Sequence, residues 1–411
     1  MPISSGDTAW LLISAALVML MTPGVALFYG GMVRRKNILS TMMMSFGVLA
    51  LIGLLWILYG YSLSFGPDKS GIIGGLDWIG LSHVGQDPAA GYATTTPHLA
   101  FMIFQAMFAI IAVALVTGAV VERMKFSALL VFSALWLTFV YSPVAHWVWG
   151  AGGWLGSLGA LDFAGGAVVH INAGFSALAI AMLLGPRKGF LDKEPMEPSN
   201  IPMVMLGASL LWFGWFGFNA GSALTSGGLA ASAFVATNTS AAAAAFTWML
   251  LGWIHHRPTL LGTATGAVAG LVAITPAAGF VSPIASIPIG IGAAVVCYYC
   301  MLFRMRRRID ESLDVWAVHG MGGVWGAIAT GIFASTAVNS AGADGLLLGN
   351  AMLMVKQLAG IVTVGLYAFA ITWIIGKIIN STIGLRVKEE EEMLGLDISQ
   401  HGERAYGGVL G

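Results

Sequence analysis

Charge is scarce in this 411-residue chain. Asp, Glu, Lys and Arg make up 9% of it, where a soluble globular protein carries roughly 25%. Hydrophobic residues make up 57%. That balance excludes a domain solvated by water on all sides and indicates a polytopic membrane protein, with the lipid bilayer as its solvent. Net charge is missing as well: 19 basic and 19 acidic residues cancel, so nothing invites nucleic acid. Cysteine is nearly absent. Cys297 and Cys300 lie in an apolar run, with no second ligand pair and no βαβ context, so they read as small core residues rather than a zinc or redox site. No basic residue precedes the first apolar run, so a signal peptide is not expected and that run is read as a retained span. No nucleophile–base or metal constellation stands out, so neither an enzyme nor a cofactor is expected.

What is present is a series of long apolar segments. A helix needs roughly 20 apolar residues to cross the hydrocarbon. Spans are expected near 8–31, 38–64, 99–121, 126–149, 164–185, 201–223, 231–254, 261–277, 283–303, 315–336 and 351–377. Basic residues follow every odd span: Arg34 to Lys36, then Arg123 and Lys125, Arg187 and Lys188, Arg257, Arg304 to Arg308, and Arg386. The even junctions hold only Lys69 and Lys356. By the positive-inside rule the N-terminus is outside and the C-terminus inside. The expected fold is therefore all-α, with eleven transmembrane helices. An odd count suits a five-plus-five inverted repeat with one extra helix, whose substrate site lies near the midplane. Leu161-Asp162 ahead of His170 and Leu313-Asp314 ahead of His319 are its faint sequence trace. Both aspartates are placed to cap the helix that follows, the role favoured for Asp314, while Asp162, on the outer side, is equally placed to attract cations. Packing explains most of the 55 glycines, such as the Gly322-x-x-x-Gly326 pair.

Of eight histidines, only His170 and His319 fall inside spans and away from the interfaces. An ionisable side chain there is costly and marks function by default, the alternative being a core histidine bonded to a neighbouring helix. The span limits put His170 in the outer half and His319 in the inner half, so contact between them does not follow. Span 6 carries Trp212, Phe213, Trp215, Phe216 and Phe218 ahead of Ser222, and span 3 carries Phe104, Gln105 and Phe108. Ring faces attract a desolvating cation by about 0.5–2 kcal/mol each. For any one ring, membrane packing is the plainer account.

Several segments resemble the ammonium transporter (Amt/MEP/Rh) family, in its prokaryotic Amt branch. They are Pro23-Gly-Val-Ala-Leu-Phe-Tyr-Gly-Gly31, Ala145-His-Trp-Val-Trp-Gly150, Gly159-Ala-Leu-Asp-Phe-Ala-Gly-Gly166 and Trp215-Phe-Gly-Phe-Asn-Ala-Gly-Ser222. Ile274-Thr-Pro-Ala-Ala-Gly279, Asp314-Val-Trp-Ala-Val-His-Gly320 and, in the tail, Gly384-Leu-Arg-Val387 continue the series. The resemblance implies ammonium or ammonia transport across the cytoplasmic membrane by a homotrimer with one pore per subunit. It implies a recruitment site of Phe108, Trp149 and Ser222, supported by Asp162. Phe108 and Phe218 would form a ring gate, and His170 and His319 a twin-histidine pore. It further implies a transmembrane domain over 1–380 and a regulatory tail over 381–411 that meets a PII signalling protein. The acidic run Glu389 to Glu392 is expected to dock beneath the arginines that follow span 9. The rival readings are an ammonium sensor with little transport and a Rh-type neutral gas channel.

Overall fold

The computed structural model describes residues 2–89 and 91–406; the last five residues of the expected tail, 407–411, lie outside these. Helices dominate because hydrocarbon offers the backbone no partner but itself. They are α1 (Ser5–Met32), α2 (Arg35–Phe65), α3 (His98–Thr117), α4 (126–149), α5 (Gly166–Leu184), α6 (Ile201–Gly221) and α7 (Gly228–His255). After them come α8 (Leu260–Ile274), α9 (Ser286–Arg306), α10 (316–333) and α11 (Ala351–Thr382). Among the described residues nine helices are long and apolar enough to cross a membrane; α8 is shorter but apolar. The expected span limits agree with these ends to within a few residues at most junctions. Polar side chains set several starts. Ser4, Asn200 and Thr259 each accept an N–H from the first turn that follows. Two short antiparallel hairpins, Asp68–Lys69 with Ile73–Gly74 and Pro88–Ala89 with Ala93–Pro97, decorate the α2–α3 connection.

Glycine lets particular helices touch. A β-carbon on Gly207 of α6 would come within 2.3 Å of the Phe28 backbone nitrogen in α1. One on Gly174 of α5 would come within 2.3 Å of the Gly320 Cα in α10. The pairs α1–α6 and α5–α10 therefore cross backbone to backbone, as small residues allow in a membrane. Large apolar side chains such as Phe213, Phe246 and Leu366 face outward and need an apolar surround.

The loops after α1, α3, α5 and α9 meet at one end, the tail end, in a buried ionic network. Glu122 pairs with Arg34 at 3.0 Å and with Arg187 at 2.8 Å, and Arg187 pairs in turn with Asp310 at 2.8 Å. Burial alone would push the Glu122 carboxyl up; the Arg187 and Arg34 charges outweigh it and hold it down to about 2. Chain beyond α11 joins this network, but not where the sequence suggested. Lys125 N–H donates to Leu385 O and Val387 N–H to Arg123 O, which threads the tail past the α3–α4 loop. It lands by the α5–α6 loop, where Glu389 pairs with Lys188 and Glu392 accepts the Lys188 N–H and pairs with Arg386. Asp397 then accepts the Ser40 N–H at 2.7 Å. Among the described residues the arginines after α9 make no ion pair with the acidic run, and Arg304 is engaged with Asp314 instead.

Candidate functional site

Both mid-membrane histidines sit in π-helical turns, Gly166–Ile171 for His170 and Trp316–Gly320 for His319. Such widened turns are rare and gather at functional sites. They open α5 and α10, and the Gly174–Gly320 crossing brings the rings together, with Nδ1 to Nδ1 at 3.2 Å and planes 22° apart. One ring donates and the other accepts. His170 also packs on Phe218, at 6.0 Å, and the contact with His319, which the span limits alone do not give, is made by the Gly174–Gly320 crossing. Among the described residues His170 Nε2 has no hydrogen-bond partner, and it is buried. Trp215 lies flat on the same ring at 5.3 Å, its indole donating to Thr275 Oγ1.

The start of α5 is held by Asp162. Its Oδ1 accepts the N–H groups of Gly165 and Gly166, and its Oδ2 those of Ala167 and Val168, at 2.6–3.1 Å. The carboxylate is spent on four otherwise orphaned donors, so its capping role is the one the geometry carries. The matching cap on α10 is not Asp314. Asp314 has a left-handed backbone, φ +61, and turns its carboxylate to Arg304 at 2.7 Å. Glu311 takes the cap, accepting the Trp316 N–H at 3.1 Å. The spacing would have found it: Asp162 and Glu311 each stand eight residues ahead of a histidine.

Three cavities follow one another: the Phe108–Phe218 stack parts the first from the second, and the second shares Phe28, Tyr29, Val268 and His319 with the third. One of about 280 Å³, at the end away from the tail, is lined by Gln105, Phe108, Trp149, Asp162 and Ser222. Trp149 meets Phe108 edge to face at 5.8 Å and donates to Asp162 O at 2.9 Å. Ser222 Oγ donates to Phe218 O, which leaves its lone pairs for an incoming donor. The floor is the Phe108–Phe218 stack, with centroids 4.2 Å apart. Beyond Phe218 a cavity of only about 10 Å³ is walled by Val25, Ile111, Leu211 and Val268 with both histidines. His319, Phe28 and Tyr29 then open on a third cavity, about 250 Å³, at the tail end beside Arg257 and Asp314. All seven residues expected at the site line this one route.

A helical bundle with an apolar surround, pierced by a narrow apolar route between two open cavities, is a membrane channel or transporter for a small solute. The pattern that defines the Ammonium Transporter Family matches residues 9–406, and the chain belongs to that family. It is 55% identical to the ammonium transporter Amt1 of Archaeoglobus fulgidus over 404 residues, covering 98% of this chain and 100% of that one. It is 54% identical to an ammonium transporter of Bacillus subtilis, covering 98% of each. The fold matches the crystal structure of Candida albicans Mep2 with a TM-score of 0.90 at 38% identity, over 98% of this chain and 90% of that one. It also matches a structure described as a sensor Amt protein, with a TM-score of 0.88 at 29% identity, over 96% and 98%. Ammonium transport across a membrane is the activity this membership supports.

Proposed function

We propose that ammonium is recruited in the 280 Å³ cavity, gives up a proton there to water of the open cavity, and crosses as ammonia past the Phe108–Phe218 gate and the His170–His319 pair. The observation that carries this reading is the order of parts along one route. Rings and a hydroxyl come first, then a closed gate, then a nearly dry apolar passage with an unpartnered ring nitrogen. Ammonium and potassium are similar in size, so width alone selects poorly. Ammonium donates directional hydrogen bonds that Ser222 Oγ accepts, while the Trp149 and Phe108 faces hold its charge. The passage has no ring of carbonyls to replace potassium's hydration shell. An intact ion in it would cost many kcal/mol, a cost that deprotonation removes. The histidine pair then guides ammonia or relays the released proton. In this reading Asp162 is a positioning residue that fixes α5 and, through its carbonyl, Trp149.

In the same proposal α8 and α10 join the nine long helices to make eleven spans, with the N-terminus outside and the C-terminus inside the cytoplasmic membrane. The backbone crossings α1–α6 and α5–α10 pair corresponding members of a five-plus-five repeat. Residues 1–380 form the transport domain of a homotrimer, and 381–411 a regulatory tail for a PII signalling protein. The docked tail supports this reading. Deleting 384–411 is expected to change activity or its regulation, and unchanged behaviour in both would retire the tail's role.

Purified protein in liposomes on a solid-supported membrane tests the pore. An ammonium jump is expected to evoke a current that a potassium jump does not, and His170→Ala and His319→Ala are expected to alter it. Internal alkalinisation without current would mean neutral ammonia conduction. Silence in both assays with ligand binding intact would favour the sensor reading, to which the structural likeness to a sensor Amt protein lends weight.

A further inference from the structure

At the end away from the tail, His146 lies one turn before Trp149 on α4, and its ring has no solvent exposure. Its Nδ1 is 3.0 Å from the Ser64 carbonyl oxygen. A carbonyl only accepts, so Nδ1 carries a hydrogen. Its Nε2 is 2.9 Å from Asp68 Oδ1. That carboxylate oxygen also accepts the Gly71 N–H at 2.7 Å, and it sits in a half-exposed hairpin next to Lys69. The His146 hydrogen bond, above all, holds Asp68 below the usual carboxylate range, so Asp68 is ionised and accepts here too. Both ring nitrogens must then donate, which only the imidazolium does.

We propose that His146 is a positioning residue that carries two ring protons and, paired with Asp68, fastens the 66–75 hairpin to the end of α4 that presents Trp149, making the recruitment cavity sensitive to external pH. The inference rests on reading that cavity as the recruitment site. Further contacts tie the same parts together. Trp147 Nε1 donates to Ile72 O at 2.7 Å, Trp154 N–H donates to Gly71 O, and Gly150 N–H donates to His146 O. A β-carbon on Gly153 would fall 1.9 Å from His146 O, so the chain doubles back tightly over the histidine. Trp149 follows at once and reaches Asp162 O and the Phe108 ring.

The other titratable groups around this end do not compensate the ring. Lys69 lies beside Asp68, with Asp77 across Gly75 from it. Tyr92 OH donates to Phe65 O and accepts the Ala151 N–H. Tyr61 OH is taken by His98, and Tyr367 packs on Trp147 while donating to Phe139 O. Among the described residues Asp68 is the one carboxylate bonded to the ring. Without its Nε2 proton the ring would turn a lone pair to the Asp68 carboxylate. The clamp loses a charge-assisted bond, and Trp149 loses the support behind it.

The discriminating variant is Asp68→Asn. Its amide can donate to the Nε2 lone pair of a singly protonated ring, which keeps the bond without the charge. Ammonium uptake is measured for full-length wild type and D68N in liposomes across external pH of about 5.5 to 9. Ammonium speciation cancels in the activity ratio. The ratio of wild type to variant is expected to fall by roughly threefold or more toward alkaline pH, carried by KM with kcat held, as loss of one charge-assisted bond predicts. A ratio flat with pH would overturn the clamp. In parallel, nitrogen-15 histidine resonances of the full-length protein in nanodiscs report the ring directly. At the acid end, pH of about 5.5, two protonated nitrogens in wild type and one in D68N uphold the proposal; a singly protonated wild-type ring at that pH refutes it. If wild type takes up no ammonium, the recruitment reading fails, while the resonances still decide whether the clamp exists.

Discussion

The two helices that carry the facing histidines begin on the same device, and the device is finished at one end only. Asp162 gives both oxygens to four N–H groups at the start of α5. Glu311, at the equivalent place before α10, accepts the Trp316 N–H with one oxygen, while its other oxygen is buried with no partner among the described residues. Burial pushes the Glu311 carboxyl up to about 7, against the pull of Arg304. The difference follows from what each carboxylate sits beside. Asp162 borders an open cavity and builds its wall. Glu311 sits against the tail-end network, where Arg304 is already committed to Asp314 and Arg187 to Glu122 and Asp310. One cap shapes a site; the other is a frustrated charge in a scaffold.

The comparison breaks most visibly at Asp162. Asp162→Ala strips four buried donors of their acceptor, at a cost of about 3 kcal/mol or more. It is expected to lower the midpoint of thermal unfolding in detergent and to abolish ammonium uptake. Glu311→Ala, which removes a single accepted bond, is expected to do far less in the same two assays. Equal losses from the two substitutions would show that the caps are equivalent after all.

A smaller effect is expected where the two helices meet. Gly174→Ala places a methyl group against the Gly320 backbone, and the overpacking costs about 1–3 kcal/mol. Because the crossing sets the 3.2 Å approach of the histidine rings, ammonium currents are expected to fall more than stability does. A variant with full current would show that the ring contact is not what the passage needs.

Much of this was legible from the sequence. The helix limits were, because hydrocarbon demands long apolar helices, and the alternation of Arg34, Arg123, Arg187 and Arg304 foretold which loops gather at one end. His170 and His319 stood out because ionisable residues are rare at that depth. Their contact did not, since it depends on the close crossing of α5 and α10 at Gly174 and Gly320 and on π turns that no apolar period reveals. The Leu-Asp repeat pointed to Asp314, while spacing from the histidine would have pointed to Glu311. For Phe108, Trp149 and Ser222 only the family resemblance implies a recruitment role; their convergence is tertiary and has no local signal. The acidic run was matched to the nearest basic cluster by charge, but backbone pairing at Leu385 and Val387 decides where the tail lands.

The sharpest difference between the caps is in pH, and Glu311→Gln isolates it. A carboxyl raised from 4.5 to about 7 in the fold binds its proton more tightly folded than unfolded. Its protonated form therefore favours the fold. That contribution is complete below the unfolded value and is lost as pH rises through the folded value. The glutamine, neutral at every pH, keeps an acceptor for the Trp316 N–H and never charges. The variant is expected to unfold at a higher temperature than wild type at pH of about 8, by about 1–2 kcal/mol, and to match it at pH of about 4. The gain is smaller than the full shift because unfolding need not expose a membrane-edge loop to bulk water. A variant less stable than wild type at alkaline pH would mean that the ionised Glu311 carboxylate has a stabilising partner after all, with Arg304 the first to examine.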